Sequence, residues 1–206
     1  GRVLRWDLGS NAVEVLRSGM AHAFGVLAHE DGEVLASESW RHRVVRLVGP
    51  PRGNLVADLP GYPSRMAAGS EGSLWVTCFV CRTQLVEFVL RERAYRTRMV
   101  QTIAPEYWIA PALSSGHSFL EPLQGAAVKN MGVLKPWAPP RSYGLVIEVQ
   151  TDGRIRRSLH SRVDGKHHGV TAVAQIGPWL YVASKGSGRL LRVDLSIDHD
   201  RHTDAG

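Results

Sequence analysis

A few groups of side chains in this sequence are of types that can do chemistry. Cys78-Phe79-Val80-Cys81 places two thiols three residues apart. A redox-active C-x-x-C opens a helix, whose dipole lowers the thiol pKa, but this pair follows the strand-like run Leu74-Trp75-Val76-Thr77. A zinc site needs further soft ligands at comparable spacing, and the chain has only these two cysteines. Two buried or strand-edge thiols are expected, and no metal. His167 and His168 precede the apolar segment Val170-Thr171-Ala172-Val173. An imidazole there titrates near neutrality and can move a proton. Adjacent strand residues point to opposite faces, so at most one of the two faces a site; as loop residues after Asp164-Gly165-Lys166, both would simply be solvated. Arg65 carries a planar fork suited to a carboxylate or phosphate, unless an acid such as Glu38 already holds it. Glu38, ending an apolar run next to Trp40, reads as a structural ion-pair partner. Ser114-Ser115-Gly116-His117-Ser118 lacks a G-x-S-x-G frame, which leaves a hydrolase triad weakly supported.

The elements that must position these groups are those of a folded globular chain. Of 206 residues 44% are apolar and 21% charged, with 25 basic against 19 acidic for a net +6. This excludes a disordered, collagenous or disulfide-dense scaffold. No apolar run approaches the ~18–20 residues of a membrane-spanning helix. Among the basic residues 21 are Arg, densest at Arg91, Arg93, Arg96 and Arg98 with Glu92 between them. Nucleic-acid binding favours a basic stripe interleaved with exposed aromatics, and Tyr95 is the only aromatic there, so a solvated face and no nucleic-acid partner are expected. The opening Gly1-Arg2-Val3 has neither an initiator Met nor a signal-peptide pattern, from which the chain is expected to begin inside a longer protein. The Asp- and His-rich 197–206 reads as a frayed terminus or a weak metal-binding tail.

Internal repetition gives the architecture. Arg2-Val3-Leu4-Arg5-Trp6-Asp7-Leu8 recurs as Arg43-Val44-Val45-Arg46-Leu47-Val48-Gly49 and as Arg189-Leu190-Leu191-Arg192-Val193-Asp194-Leu195. A second element recurs as Val34–Ser39, Ser73–Cys78 and Trp179–Ser184, each after a turn signal such as Glu30-Asp31-Gly32. Short strands, Asp-Gly-type turns and a period near 40 describe β-propeller blades. Residues 1–19 read as the outer half of one blade, 20–61 as a complete blade, 62–161 as a third, and 162–195 as the start of a last. That makes about three and a half blades, fewer than a closed ring, and the C-terminal portion of a propeller is expected. Roughly 90–141 interrupts the third blade between its second and third strands. Leu90–Ile103 has helical spacing; Pro105, Pro111, Pro122, Pro136, Pro139 and Pro140 then forbid a long regular element. Trp108, Phe119, Leu120, Leu123 and Trp137 give this insertion apolar surface to pack, as an ordered cap over one end of the propeller or as a contact for another chain.

His22-Ala23-Phe24-Gly25-Val26, Glu38-Ser39-Trp40-Arg41-His42-Arg43, Leu59-Pro60-Gly61-Tyr62-Pro63 before Leu74-Trp75-Val76, and the closing His168-Gly169-Val170-Thr171-Ala172-Val173 occur in order at blade spacing. In this the chain resembles the strictosidine synthase-like family over almost its whole length. The resemblance implies an all-β, six-bladed propeller related to the gluconolactonase and paraoxonase group, and the long insertion resembles that of bacterial members. Two chemistries come with it. Calcium-dependent lactone or ester hydrolysis needs six to eight oxygen ligands. The positions that supply them in calcium-binding relatives align with Phe24, before Gly25, and with Ser64 and Arg65, after Pro63. A phenyl ring offers no ligand atom and a guanidinium repels a divalent ion. Amine–aldehyde condensation in the plant synthases uses a Glu that aligns with Thr171, and a Thr hydroxyl accepts no proton at pH 7 without a base of its own.

The expectation is therefore a propeller that acts on a small organic ligand at its channel mouth, as a lyase-, synthase- or hydrolase-type enzyme without metal or other cofactor. Its site residues would be Arg65, Ser64, Thr171 and Phe24 as ligand contacts and His168 as the best catalytic group. The alternatives are a non-catalytic module that docks a protein partner through about 107–140, and a calcium-dependent lactonase or esterase completed by ligands from elsewhere.

Overall fold

The computed structural model describes residues 1–113, 129–130, 133–134, 143–161 and 166–197. β1 (Val3–Trp6) and β2 (Val13–Arg17) form an antiparallel pair. β3 (Ala23–Ala28), β4 (Val34–Glu38), β5 (Arg43–Val48) and β6 (Gly53–Val56) then make a four-stranded antiparallel sheet in sequence order. β7 (Gly61–Ala68) and β8 (Leu74–Cys81) open a second sheet. The chain then leaves it for two helices, α1 (Gln84–Arg91) and α2 (Arg93–Thr102), and for a two-residue ladder of β9 (Lys129–Asn130) with β10 (Val133–Leu134). It returns as β11 (Leu145–Val149) and β12 (Ile155–His160), completing the order β7-β8-β11-β12. β13 (Val170–Ile176), β14 (Trp179–Ser184) and β15 (Arg189–Asp194) form the last sheet. These are propeller blades: up-and-down sheets whose first strands, β3, β7 and β13, lie side by side, β7 touching both of the others.

The two four-stranded sheets pack on both faces, and the period of two divides their strands between two interfaces, while β1–β2 and β13–β15 each leave apolar side chains such as Trp6 and Leu190 exposed. On β8, Leu74, Val76 and Cys78 pack toward the preceding blade with Leu35, Val44 and Leu55, while Trp75 turns to Val146, Val170 and Leu180. On β5, Val44 faces the following blade, whereas Val45 and Leu47 meet Val3 of the preceding half-blade and Met20 between β2 and β3. Trp75 is fully buried, and its indole N–H donates to Gln175 Oε1 at 2.7 Å, tying two blades together. Buried acids are held by arginines of their own sheet: Glu38 by Arg41 (2.9 Å) and Arg43 (2.6 Å), Glu148 by Arg157 (2.8 Å). The tight turns close through Asp side chains, Asp31 Oδ1 accepting from Glu33 N and Asp152 Oδ1 from Arg154 N, both at 2.9 Å.

The helical part differs from the expectation of one helix over Leu90–Ile103. α1 starts at Gln84, where Thr83 Oγ1 accepts from Val86 N, breaks at Glu92 (φ −82°, ψ 83°) and resumes as α2. The run Leu85-Val86-Glu87-Phe88-Val89-Leu90 is strand-like by composition. It is helical because Val86 and Val89 fall on one face and bury against Tyr62 and Phe79. Met99, Ile109, Trp108 and Leu113 extend the same cluster. Both helices and residues 103–113 therefore sit at the blade end where β3, β7 and β13 begin. His117, Phe119, Leu120, Leu123, Trp137 and most of 107–140 lie outside the described residues, as does 198–206.

Candidate functional site

At this end all three inner strands lose register with their neighbours. β3 pairs Ala23 with Glu38 and next Val26 with Ala36; β7 pairs Pro63 with Cys78 and next Met66 with Val76; β13 pairs Val170 with Ser184 and next Ala172 with Ala183. At these steps each inner strand carries one residue more than its partner, and on β7 an opposite step between Gly61 and Pro63 precedes it. The irregular steps contain Phe24 and Gly25, Ser64 and Arg65, and Thr171. A bulge releases a strand from the ladder and re-aims its side chains, and here three lie side by side.

A hydroxyl network holds the bulges. Ser37 Oγ accepts from Gly25 N (2.8 Å) and donates to the Ser64 carbonyl (2.7 Å), and Ser39 Oγ donates to the Pro63 carbonyl (2.6 Å). Thr77 Oγ1 donates to the Arg65 carbonyl at 2.7 Å, with the Ser64 hydroxyl 2.7 Å from it. β3 and β7 approach so closely that a Cβ on Gly25 would meet Ser64 O at 2.6 Å and Arg65 Cα at 2.9 Å. Only glycine fits there, and the result is that Phe24 and Arg65 stand side by side, Arg65 Cζ lying 5.9 Å from the Phe24 ring centroid.

The expected site residues divide into two kinds. Phe24, 37% exposed, and Arg65, also exposed, have side chains open to solvent. Ser64 is fully buried, its hydroxyl engaged with Thr77 and 3.4 Å from the Val170 carbonyl, so it shapes the site from behind. Thr171 and His168 are buried, each 8% exposed. Burial, and then the neighbouring His167, lower the His168 pKa, which leaves its imidazole neutral at pH 7. Its backbone carbonyl accepts from Ser184 Oγ at 2.6 Å. The cap reaches this corner: the Leu113 carbonyl passes so close to Gly169 and Gly186 that neither has room for a Cβ. Arg65 is not the partner of Glu38, whose carboxylate is taken by Arg41 and Arg43 and by the backbone N–H of Ala21. Both cysteines are free, with burial raising the thiol pKa of Cys78 and of Cys81.

Sequence reasoning missed two features. One is an aromatic wall behind Phe24: Phe79 (centroids 5.7 Å), Tyr62 (5.8 Å from Phe79), Trp40 (5.2 Å from Tyr62) and His22 (4.7 Å from Trp40). The other joins cap to propeller through Glu87 of α1. Its carboxylate accepts from Tyr62 OH and lies 2.9 Å from His42 Nε2, with Arg82 at 3.4 Å. Burial pushes the Glu87 carboxyl up, but Tyr62, His42 and Arg82 outweigh it and hold the pKa below its ordinary value. Tyr62 and His42 sit in motifs quoted above, but nothing in sequence joins them to a helix more than 20 residues on.

A hard cation fits these residues poorly. β3, β7 and β13 carry no carboxylate. Their amide side chain, Gln175, has its oxygen engaged by Trp75 and the Ser70 N–H. Among the described residues no group of three His, Cys, Asp or Glu side chains is placed to hold a metal, and no helix is long and apolar enough to cross a membrane.

The fold and the inner-strand site define a β-propeller, and known structures agree. A luciferin-regenerating enzyme superposes with a TM-score of 0.50 at 18% identity, covering 96% of this chain and 47% of that one. A gluconolactonase-type structure gives 0.51 at 12%, covering 93% and 51%. No family model matches the chain. Among curated proteins it is 35% identical over 92 residues to Protein STRICTOSIDINE SYNTHASE-LIKE 13 of Arabidopsis thaliana, which is 42% of this chain and 23% of that protein. It is 27% identical over 202 residues to Adipocyte plasma membrane-associated protein of Salmo salar, 95% of this chain and 43% of that one. The chain thus spans between about a quarter and a half of these relatives, and it is similar to strictosidine synthase-like proteins and to adipocyte plasma membrane-associated proteins.

Proposed function

We propose that this chain carries the ligand-contacting inner edge of a small-molecule enzyme, of lyase, synthase or hydrolase type, that works at the channel mouth without calcium. The observation that supports this most is the alignment of three bulges on β3, β7 and β13, which bring Phe24, Arg65 and Thr171 to one level under the cap. Register shifts occur in other strand pairs too, but here three fall on adjacent inner strands at one end, where bulges re-aim side chains as they do beside active sites. Phe24 offers an apolar surface, Arg65 a cation and Thr171 a wall. His168, neutral at pH 7, is the group able to take and return a proton. The strictosidine synthase reaction in the strict sense is disfavoured by Thr171, because a hydroxyl is no general base.

The test is a screen of the whole protein against lactones, esters, amine–aldehyde pairs and small acids. His168→Ala should abolish any turnover found, and unchanged turnover would remove His168 from the mechanism. One observation favours a non-catalytic module: the cap helices leave Phe88 (49%) and Tyr95 (40%) exposed with ring centroids 5.6 Å apart, an aromatic pair able to meet a protein. On that reading, Phe88→Ala with Tyr95→Ala weakens partner capture and deletion of Tyr107–Pro140 abolishes it, while the propeller still folds in both.

A further inference from the structure

Several arginines of the two four-stranded sheets and of the cap have acids, whereas others, such as Arg2, Arg17, Arg93 and Arg192, have no ion-pair partner recorded among the described residues. What sets Arg65 apart is its place on an inner strand. Arg41 and Arg43 pair with Glu38, Arg46 with Glu33, Arg82 with Glu87, and Arg156 and Arg157 with Glu148. Arg65 has no carboxylate within ion-pair distance among the described residues, and its recorded contact is the Phe24 ring. It is also the single charged residue on the three inner strands, whose sequences are AFGVLA, GYPSRMAA and VTAVAQI. The cap-end acids nearest in the fold, Glu38 and Glu87, are already neutralised by the arginines above. Nor do the histidines change the sign, since burial lowers the pKa of His22 as it does that of His168.

We infer that the ligand of this edge is a small anion with a flat unsaturated part, its carboxylate or phosphate oxygens taken by the Arg65 fork and its plane laid on Phe24. The inference rests on the reading of the inner edge as a ligand site and adds the ligand's chemical class. The guanidinium donates two parallel hydrogen bonds to either group. A ring on Phe24 gains an offset or edge-to-face contact, and Gly25 fixes the spacing of the two side chains through the close approach of β3 to β7. An amine would be repelled by Arg65, and a neutral ester would leave its fork unused.

The test is calorimetric titration of the whole protein with benzoate, phenyl phosphate, acetate, inorganic phosphate, benzyl alcohol and benzylamine. Benzoate or phenyl phosphate should bind at least about tenfold more tightly than benzyl alcohol or benzylamine, and the stronger of the two says whether carboxylate or phosphate is preferred. Arg65→Gln should weaken that ligand about 10- to 100-fold, the worth of a charge-assisted bidentate contact. Arg65→Lys should recover part of the loss. Phe24→Ala should reduce benzoate to the level of acetate and leave acetate unchanged. Thermal unfolding of each variant checks that it folds. Binding of benzylamine or benzyl alcohol as tight as benzoate, an Arg65→Gln variant of unchanged affinity, or no binding by any anion overturns the inference. In the last case a neutral substrate turned over in a His168-dependent way would leave the proposed function standing. Conversely, Arg65-dependent anion binding with no turnover across the screen would keep the inference and remove the enzyme.

Discussion

The blade interfaces and the inner edge are built from the same strands by opposite rules. Between blades, side chains alternate between two faces, Ile147 and Val149 packing to one and Val146 to the other, the β8–β11 ladder runs in register, and buried acids such as Glu148 find an arginine at hydrogen-bond distance. A few ångströms away, at the cap end, each inner strand breaks register and an exposed arginine stands beside an exposed phenyl ring. The difference teaches that a paired charge between strands is consumed by the fold, whereas Arg65, exposed on a bulge with no carboxylate partner among the described residues, is the charge that the proposed site relies on.

The sharpest way to break this comparison is to cut each region and measure unfolding. Trp75→Ala empties an interface that joins two blades and should cost about 3–5 kcal/mol in chemical denaturation of the whole protein. Glu38→Gln leaves Arg41 and Arg43, which keep solvent access, around a neutral group and should cost about 1–2 kcal/mol, the worth of weakened charge-assisted hydrogen bonds. Arg65→Gln should stay within about 0.5 kcal/mol, the range of ordinary surface changes. A loss above about 2 kcal/mol at Arg65 would make it part of the scaffold and erase the contrast.

A smaller effect concerns the cap. Burial lowers the His42 pKa in the folded chain despite the opposing pull of Glu87, so protonation of His42 favours unfolding. Its contribution is complete above pH 6.5, the unfolded value, and declines as the pH falls below it. His22 and His168 act with the same sign. Glu87, with its pKa held low, adds stability above its unfolded value of 4.5 that is lost only in stronger acid. The melting temperature should therefore fall between pH 7 and pH 5, and His42→Gln should flatten that slope; an unchanged slope would take the cap contact out of the pH response.

How much of this was legible in the sequence follows from what each feature depends on. Blade strands could be read because the Arg-x-x-Arg and Leu-Trp-Val elements recur at a period near 40, and a repeated local pattern survives any change in packing. α1 could not, because Leu85–Leu90 is apolar enough for a strand and is made helical by the surface of Tyr62 and Phe79 beneath it; the Thr83 cap was the available signal. The positions of Phe24, Ser64, Arg65 and Thr171 came from resemblance alone. That they share one level, and that Ser64 is buried while Arg65 is exposed, depends on bulges that carry no period for sequence to display. The Glu87–Tyr62–His42 contact is tertiary, made by elements about 20 residues apart and more.

Calcium titration of the whole protein, with all of its blades, tests the central claim most directly. With Phe24, Ser64 and Arg65 on the inner edge, the titration should give no saturable heat and no calcium-dependent rise in melting temperature. Saturable binding at micromolar affinity or tighter would contradict the account and make the inner edge a cation site completed from elsewhere.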